Sequence, residues 1–264
     1  MKTFTKQMAW LLVLALSCAG LFSCQQPEVA PSSMDWLQAA DEALEQNDYT
    51  AKIETAFSTS DDDMRDAVAA LNASDMTLKK KGDDFSIEMQ ATVGENTLER
   101  SYVMVGGVLY HKNMLQVGEK SVSVKQKADA SALDVYLALE DVSAGASIGT
   151  EDFKTLTPSK DGEVSRVLCT DVKGDTLIDL TEIFGAYFEG ATLMINDARL
   201  DVTAKDGKYT QTALTLQCTV LTSSESYEVT VMRTTVYDYS SSVTVSVPED
   251  SADYTSVSYG DIIK

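Results

Sequence analysis

Apolar residues recur along this chain with two different spacings, and the spacing changes several times. Between residues 33 and 47, apolar side chains such as Leu37 and Leu44 recur every three or four positions, which is typical of an amphipathic helix. Residues 49–59 alternate between apolar and polar side chains, which predicts a strand. Residues 61–71 return to the helical spacing. The first third of the chain therefore mixes helices with strands.

Short alternating segments follow, and glycine-containing turns separate them. Gly106-Gly107 is one such turn, because glycine adopts a positive φ at little cost. Lys79-Lys80-Lys81 is an isolated basic run, and a solvated turn explains it better than a binding patch. The predicted strands are residues 75–80, 85–93, 97–105, 108–114 and 122–126.

The middle of the chain contains two strongly apolar segments. Residues 131–142 and residues 176–188 both have helical spacing, and the second segment is apolar on more than one face. Such a helix is either buried on two sides or lines an apolar cavity. Residues 145–162 are predicted to be a loop, and residues 163–172 a strand. The residues expected to line a cavity, with plain core packing as the alternative for each, are Leu133, Leu137, Ile183, Phe184 and Phe188.

The remainder of the chain is rich in Thr, Val and Tyr, which favour strands. The pattern predicts a meander over residues 191–204, 208–221, 226–237 and 242–247. The tail from residue 254 onward is either an added strand or a frayed end. The order of elements predicts one α+β domain built on a large antiparallel sheet, with helices on one face.

The first residues of the chain have a different character. Lys2 and Lys6 precede an apolar run over residues 8–22, and Cys24 is followed by polar residues. A positive start, a short apolar core and small residues before a cleavage point are typical of an export signal. The run is shorter than the roughly 20 residues that a membrane-spanning helix needs.

The residues Leu21-Phe22-Ser23-Cys24 resemble the lipobox of bacterial lipoproteins. That resemblance implies that the thiol of Cys24 receives diacylglycerol and that cleavage makes Cys24 the first residue. The expected organisation is a signal peptide over residues 1–23, a lipidated tether over 24–32 and a single domain over 33–264. The expected location is the extracytoplasmic face of a cell membrane, in the cell envelope, held by the lipid anchor.

The chain is strongly acidic, with 41 acidic and 21 basic residues. Loss of Lys2 and Lys6 with the signal peptide would move the formal charge from −20 to about −22. Such a surface repels nucleic acid, so no nucleic-acid partner is expected. The acidic run Asp61-Asp62-Asp63 lacks the spacing of a Ca²⁺ loop, and acids at a helix N-terminus explain it better. We therefore expect no metal and no cofactor.

Two cysteines follow Cys24 in the chain, namely Cys169 and Cys218, and both lie in predicted strands. Export would place them where a disulfide persists. Two alternatives stay open at this point. Neighbouring strands would allow a disulfide that adds roughly 4 kcal/mol, whereas separated strands would leave two buried free thiols.

Three segments resemble LolA-like and LppX-like lipoproteins and related lipoproteins of Gram-positive bacteria. They are the tail VTVSVPED over residues 243–250, the hairpin SYVMVGGVLYHKNM over residues 101–114, and a helix followed by Tyr49-Thr50-Ala51-Lys52-Ile53. The resemblance implies a large curved antiparallel sheet, a half-barrel, with helices packed on its concave face. It also implies an apolar cavity for a lipid or an acyl chain.

The sequence contains no G-x-S-x-G, H-E-x-x-H or phosphate-binding glycine motif, and it has a single histidine, His111. We therefore expect no enzyme and no catalytic residue; because carboxylates are plentiful, a hydrolase that uses a pair of them is the third and weakest hypothesis. The leading hypothesis is a membrane-anchored lipoprotein that binds a hydrophobic ligand. The alternative is a non-catalytic cell-surface module with a filled core that binds a protein partner, whose identity the sequence leaves unknown.

Overall fold

The computed structural model describes residues 34–71, 74–93, 96–131, 148–188, 190–240 and 242–262. Residues Ser33–Lys264 form one compact unit. The predicted helices over 33–47 and 176–188 are confirmed, whereas only five residues of the segment 61–71 are helical. The predicted helix over 131–142, except its first residue, lies outside the described residues. The helices are α1 (Asp35–Gln46), α2 (Arg65–Ala69), α3 (Gly174–Gly185) and α4 (Tyr259–Ile262).

Twelve strands form one sheet, in the order β12-β6-β5-β4-β3-β2-β1-β11-β10-β9-β8-β7. Neighbouring strands are antiparallel, except that β12 pairs with β6 in parallel. The prediction of an α+β fold with a large antiparallel sheet is therefore confirmed. The strands are β1 (Tyr49–Ser58), β2 (Ser74–Lys81), β3 (Asp84–Val93), β4 (Asn96–Val105), β5 (Val108–Val117), β6 (Lys120–Asp129), β7 (Phe153–Asp161), β8 (Val164–Val172), β9 (Thr192–Lys205), β10 (Lys208–Leu221), β11 (Ser226–Asp238) and β12 (Thr255–Ser256).

Two sequence predictions about strands are wrong. The predicted loop over 145–162 contains β7, which pairs with β8 at one end of the sheet. Pro158 suggested a loop, but proline is tolerated in a strand whose outer side faces no other strand. Residues 242–247 alternate as a strand would, yet they pair with no strand in the described chain. The tail supplies β12 and α4 instead.

One face of the sheet carries most of the core. Residues that are paired across antiparallel strands point to the same face. The row Ala198, Leu216, Val231 and Phe57 crosses β9, β10, β11 and β1 on one face, and all four residues are buried. We call this the apolar face. It includes these four residues, every second residue along the same strands where their register is regular, and the residues paired with them from strand to strand.

Helices cover part of the apolar face. α1 contacts β9 and β10, α3 contacts β9, and α2 contacts β1. Leu37 of α1, Val68 of α2, and Leu180 and Phe184 of α3 join one buried cluster with the strand residues beneath them. A second cluster lies over β3 to β6, where α4 adds Ile262; it comprises Phe85, Ile87, Tyr102, Met104, Leu109, Ala128 and Ile262.

Cys169 and Cys218 are both free and buried. Of the two alternatives that the sequence leaves open, the structure has the free thiols. Cys169 pairs with Leu200 on β9, whereas Cys218 pairs with Ile195 on the same strand, so β9 separates the two cysteines. Two strand spacings and an offset of about four residues place their Cα atoms roughly 16 Å apart. A disulfide needs Cα atoms less than about 7 Å apart.

Among the described residues, no helix combines the length and the hydropathy that crossing a membrane requires.

Candidate functional site

Burial decreases along β4, β5 and β6 on the apolar face. Met104, Leu109 and Ala128 form one cross-strand row and are 0–5% exposed. Three rows further toward the other end of these strands, Leu98 pairs with Leu115, which pairs with Val122. Those three side chains are 36%, 46% and 70% exposed. The same face is therefore a packed core at one end and open at the other.

This open region is apolar. We call it the apolar shelf and define it as Leu98, Leu115, Val122 and Val124; Val124 is 51% exposed. Isolated exposed apolar residues are normal on protein surfaces, but contiguous ones mark binding sites or interfaces. The shelf continues a face that is core elsewhere, so its chemistry is that of an interior surface left uncovered.

Two rows with polar side chains lie between the buried row and the row of Leu98, Leu115 and Val122, and the second of them ends in the shelf residue Val124. In the first, Tyr102 pairs with His111, which pairs with Gln126. The rings of Tyr102 and His111 stack with centroids 4.7 Å apart and an angle of 13° between their planes. In the second row, Arg100 pairs with Asn113. The shelf therefore has a belt of hydrogen-bonding groups along its inner side.

His111 is buried, and neither of its ring nitrogens has a hydrogen-bond partner in the described chain. Burial lowers the pKa of the imidazole, and the positive charge of Arg100 lowers it further. The Gln126 amide opposes both effects, although its geometry is not that of a hydrogen bond. A histidine with this environment is neutral at pH 7. Among the described residues, no serine or carboxylate is bonded to it as a catalytic triad would require.

The charge distribution around the shelf is unusual for such an acidic chain. On β1 to β6, the residues that share the apolar face with Ile53 include no Asp or Glu within the described strands. The acids of these strands lie on the opposite face, where Glu99 and Glu88 form ion pairs with lysines. Burial explains the exclusion over the covered end of this face, because an unpaired buried carboxylate is strongly unfavourable. At the open end, burial does not account for it.

Two cations flank the shelf on the apolar face: Arg100 lies two residues from Leu98 on β4, and the exposed Lys120 lies two residues from Val122 on β6. Of the two, Arg100 is on the inner side of the shelf, toward the buried row. It is half-buried, and within the described ranges no carboxylate lies within the 4.0 Å of an ion pair. Burial raises the pKa of the Tyr102 phenol, and Arg100 partly opposes this effect. Lys80 shares the apolar face, but its Nζ donates hydrogen bonds to the backbone oxygens of Glu45 and Asn47. Arg100 therefore offers an unneutralised positive charge beside an apolar surface.

A depression of about 510 Å³ adjoins the shelf at the edge of β6. Val124 and Gln126 line it from the apolar face, and Val257 lines it from the C-terminal segment. Lys125, which also lines the depression, points to the other face of the sheet and forms ion pairs with Asp250 and Asp253. Its volume lies within the range of small-molecule sites, about 300–1,000 Å³.

Two further polar contacts lie away from the shelf, one between α1 and β10 and one between α3 and the turn that precedes β7. The Tyr209 hydroxyl donates to Oδ1 of Asp41, and Thr176 donates to Asp152 at 3.0 Å. Burial raises the pKa of Glu151, and the charges of Asp152 and Asp41 raise it further. In the described part of the chain, no group of three or more histidine, cysteine or acidic side chains is arranged to bind a metal.

The residues expected to line a cavity have other surroundings. Phe184 and Phe188 are buried in the first cluster, and Ile183 packs against that cluster. These three residues fill a core, and neither the 510 Å³ depression nor a second one of about 560 Å³ is lined by them. Leu133, Leu137 and the lipidation residue Cys24 lie outside the described residues.

Sequence reasoning missed the shelf. Leu98, Leu115 and Val122 occupy apolar positions of predicted strands, but alternation assigns every such position to the core. Cross-strand register and the coverage of each row distinguish an open position from a buried one. The absence of acids from alternate positions of six consecutive strands is a signal that the sequence did contain.

Comparisons with models of known protein families and with curated proteins find no match to this chain.

Proposed function

We propose that this chain is a lipid-anchored, extracytoplasmic lipoprotein that binds a hydrophobic ligand without catalysing a reaction. The observation that carries the proposal is the apolar shelf: Leu98, Leu115 and Val122 are exposed on the face that elsewhere forms the core. In this proposal the sheet is curved as in LolA-like proteins, with the helices and the ligand both on its concave face.

The proposed lipid anchor is attached to Cys24, which follows a segment with the features of an export signal. Diacylglycerol on this residue would hold the domain at a membrane by its two chains, because each buried CH₂ contributes about 0.8 kcal/mol. Labelling with an alkyne-tagged fatty acid tests this part. The unchanged chain should incorporate the label and sediment with membranes, whereas Cys24→Ser should do neither.

The shelf offers contact to one side of an acyl chain. A twelve-carbon chain with about half of its CH₂ groups removed from water gains about 4 kcal/mol. That gain corresponds to a dissociation constant of about 1 mM. Tighter binding therefore needs a head-group contact or further coverage of the chain.

Ligand binding is tested with the chain from residue 24 carrying Cys24→Ser, which contains the whole compact unit. Its binding of the neutral fluorescent probe N-phenyl-1-naphthylamine is compared with that of Leu115→Asp. The matched control is Met232→Asp, because Met232 is 47% exposed and lies on the opposite face of the sheet. We expect Leu115→Asp to abolish binding of the probe and Met232→Asp to preserve it. Native mass spectrometry should also detect co-purified lipid, and a chain that binds neither lipid nor probe would refute the proposal.

One observation favours the alternative of a protein-interaction module. The space beneath α3 is filled, since Leu180 and Phe184 are 0–1% exposed. A filled interior together with an acidic surface would suit a protein partner at a strand edge such as β7. In that case Leu115→Asp would leave capture of the partner unchanged.

A further inference from the structure

We propose that the ligand of the apolar shelf is a single-chain amphiphile with a carboxylate head, which Arg100 binds while the chain lies on Leu98, Leu115 and Val122. This inference rests on the proposed function and adds the chemical class of the ligand. It follows from three features of the apolar face: the position of Arg100, the absence of acids from the described strands β1 to β6 on this face, and the neighbouring donors.

Position is the first feature. Arg100 and Leu98 are two residues apart on β4, so both point to the apolar face and lie about 7 Å apart. Leu115 and Val122 extend the apolar surface across two further strand spacings, about 10 Å. A head group at Arg100 therefore leaves a chain lying across the row of shelf residues.

Charge is the second feature. The chain has a formal net charge of −20, which disfavours anionic ligands at long range. Close to Arg100 the balance is reversed, because the apolar face of β1 to β6 carries no acid in the described strands. Half-burial of Arg100 reduces screening by water and strengthens its interaction with an anion. Lys120, at the outer side of the shelf, is exposed to water, so its charge is screened more strongly than that of Arg100. A singly charged head therefore matches the single half-buried guanidinium.

Donor geometry is the third feature. A guanidinium presents parallel N–H groups that bind a carboxylate through two hydrogen bonds. Asn113 lies directly opposite Arg100, and cross-strand partners have Cβ atoms about 5 Å apart. Its amide can donate a further bond to the same carboxylate. His111, one row further in, is buried and neutral, so it adds no competing charge.

A bilayer surface is a less suitable source of the anionic group. An anionic bilayer presents many charges over a wide area, and the chain as a whole, with a formal net charge of −20, would be repelled by it. A free amphiphile reaches Arg100 without bringing other charges close to the protein. The proposal is therefore limited to a free ligand.

Displacement of N-phenyl-1-naphthylamine from the Cys24→Ser chain tests the inference with three twelve-carbon compounds below their micellar concentrations. They are dodecanoate, dodecanol and dodecyltrimethylammonium. We expect dodecanoate to bind at least tenfold more tightly than the cation. Arg100→Gln should weaken dodecanoate binding about tenfold or more and change dodecanol binding less than twofold.

Arg199→Gln is the matched control, because Arg199 is an arginine of β9 on the opposite face of the sheet. It removes the same charge and should leave dodecanoate binding unchanged. Equal binding of all three compounds, or equal losses in both arginine variants, would overturn the inference and leave the proposed function intact. Failure of the unchanged chain to bind the neutral probe would instead refute the proposed function. Sedimentation with anionic vesicles that depends on Arg100 would identify a bilayer as the partner and also overturn the inference.

Discussion

The phenol of Tyr209 on β10 donates a hydrogen bond of 2.5 Å to Oδ1 of Asp41 in α1 and so connects that helix to the sheet. Burial raises the pKa of Asp41, the Tyr209 hydroxyl opposes that effect, and the charge of Glu45 adds to it. The bond favours the ionised carboxylate. Its contribution to stability is therefore present above the pKa of Asp41 and is lost as the pH falls through that pKa.

Removal of this hydroxyl gives the first prediction. Tyr209→Phe should lower the free energy of unfolding by about 1–2 kcal/mol at pH 7, since Asp41 is half exposed and water replaces part of the bond. The loss should be smaller at pH 3.5, where the carboxyl is more protonated. Urea unfolding at the two pH values measures both effects. Tyr227→Phe is the control, because burial and the charge of Glu225 raise the pKa of that phenol and no hydrogen bond is among the causes. An equal loss of stability in Tyr227→Phe would contradict our interpretation.

The single histidine gives the second prediction. The pKa of His111 is lowered in the folded protein, chiefly by burial, so the unfolded chain binds a proton more readily. The folded protein should therefore lose stability as the pH falls below the unfolded value of about 6.5. His111→Phe keeps a ring against Tyr102 and cannot titrate, so its stability relative to the unchanged chain should increase from pH 7.5 to pH 5.

Because the chain contains one histidine, proton NMR of the imidazole reports its titration directly. An apparent pKa at or above 6.5 would contradict this prediction. His111→Gln offers a second variant for the same stability comparison if the phenylalanine is too large for the site.

The two free thiols give the third prediction. Burial raises the pKa of both Cys169 and Cys218 to about 11. The thiolate is the reactive form, and at pH 8 it is about one thousandth of each population. The folded chain from residue 24 with Cys24→Ser, which lacks Cys18, should therefore react very slowly with a thiol reagent. The same chain unfolded in urea should react with two equivalents of the reagent. Detection of no thiol after unfolding without reductant would show a disulfide.

The turn between β9 and β10 gives the fourth prediction. Asp206 and Gly207 have φ values of 53° and 68°, as a type I′ hairpin requires at both central positions. Gly207→Ala should cost about 1–2 kcal/mol, because a Cβ is unfavourable at this backbone conformation. Crowding adds little, since the new Cβ would lie 3.6 Å from that of Ala39.

Gly174→Ala is the matched control for the turn. Gly174 has no positive φ, and a Cβ there meets nothing within 4 Å. Its effect on the free energy of unfolding should stay within about 0.5 kcal/mol. Equal costs for the two substitutions in thermal or urea unfolding would contradict the backbone explanation.

Predictions from the sequence succeeded where the spacing of apolar residues reflects local geometry. The strands β9, β10 and β11 alternate clearly because one side of each is buried against the first cluster. Prediction failed at β7, where Pro158 suggested a loop, and at residues 242–247, where alternation suggested a strand. In both places, whether the segment forms a strand depends on which other segment pairs with it. The spacing of apolar residues within one segment carries no information about that pairing.

The candidate site shows the same division. Phe184 and Phe188 were expected to line a cavity because their helix is apolar on more than one face. They are buried in a filled core instead. Leu115 has the same alternating pattern as Leu109 on β5, yet one is 46% exposed and the other 0%. Identical spacing therefore has two outcomes, depending on what packs above each position.

The sequence by itself determined the mixture of helices and strands, the antiparallel hairpins and the charge of the surface, because backbone propensity and side-chain chemistry are local properties. It also contains the apolar segment and the cysteine on which the expected lipid anchor depends. Only the tertiary structure decided the strand order, the separation of Cys169 from Cys218 and the row that joins Leu98 to Val122. Those features arise from pairing between distant segments and from the coverage of one face, which no single segment specifies.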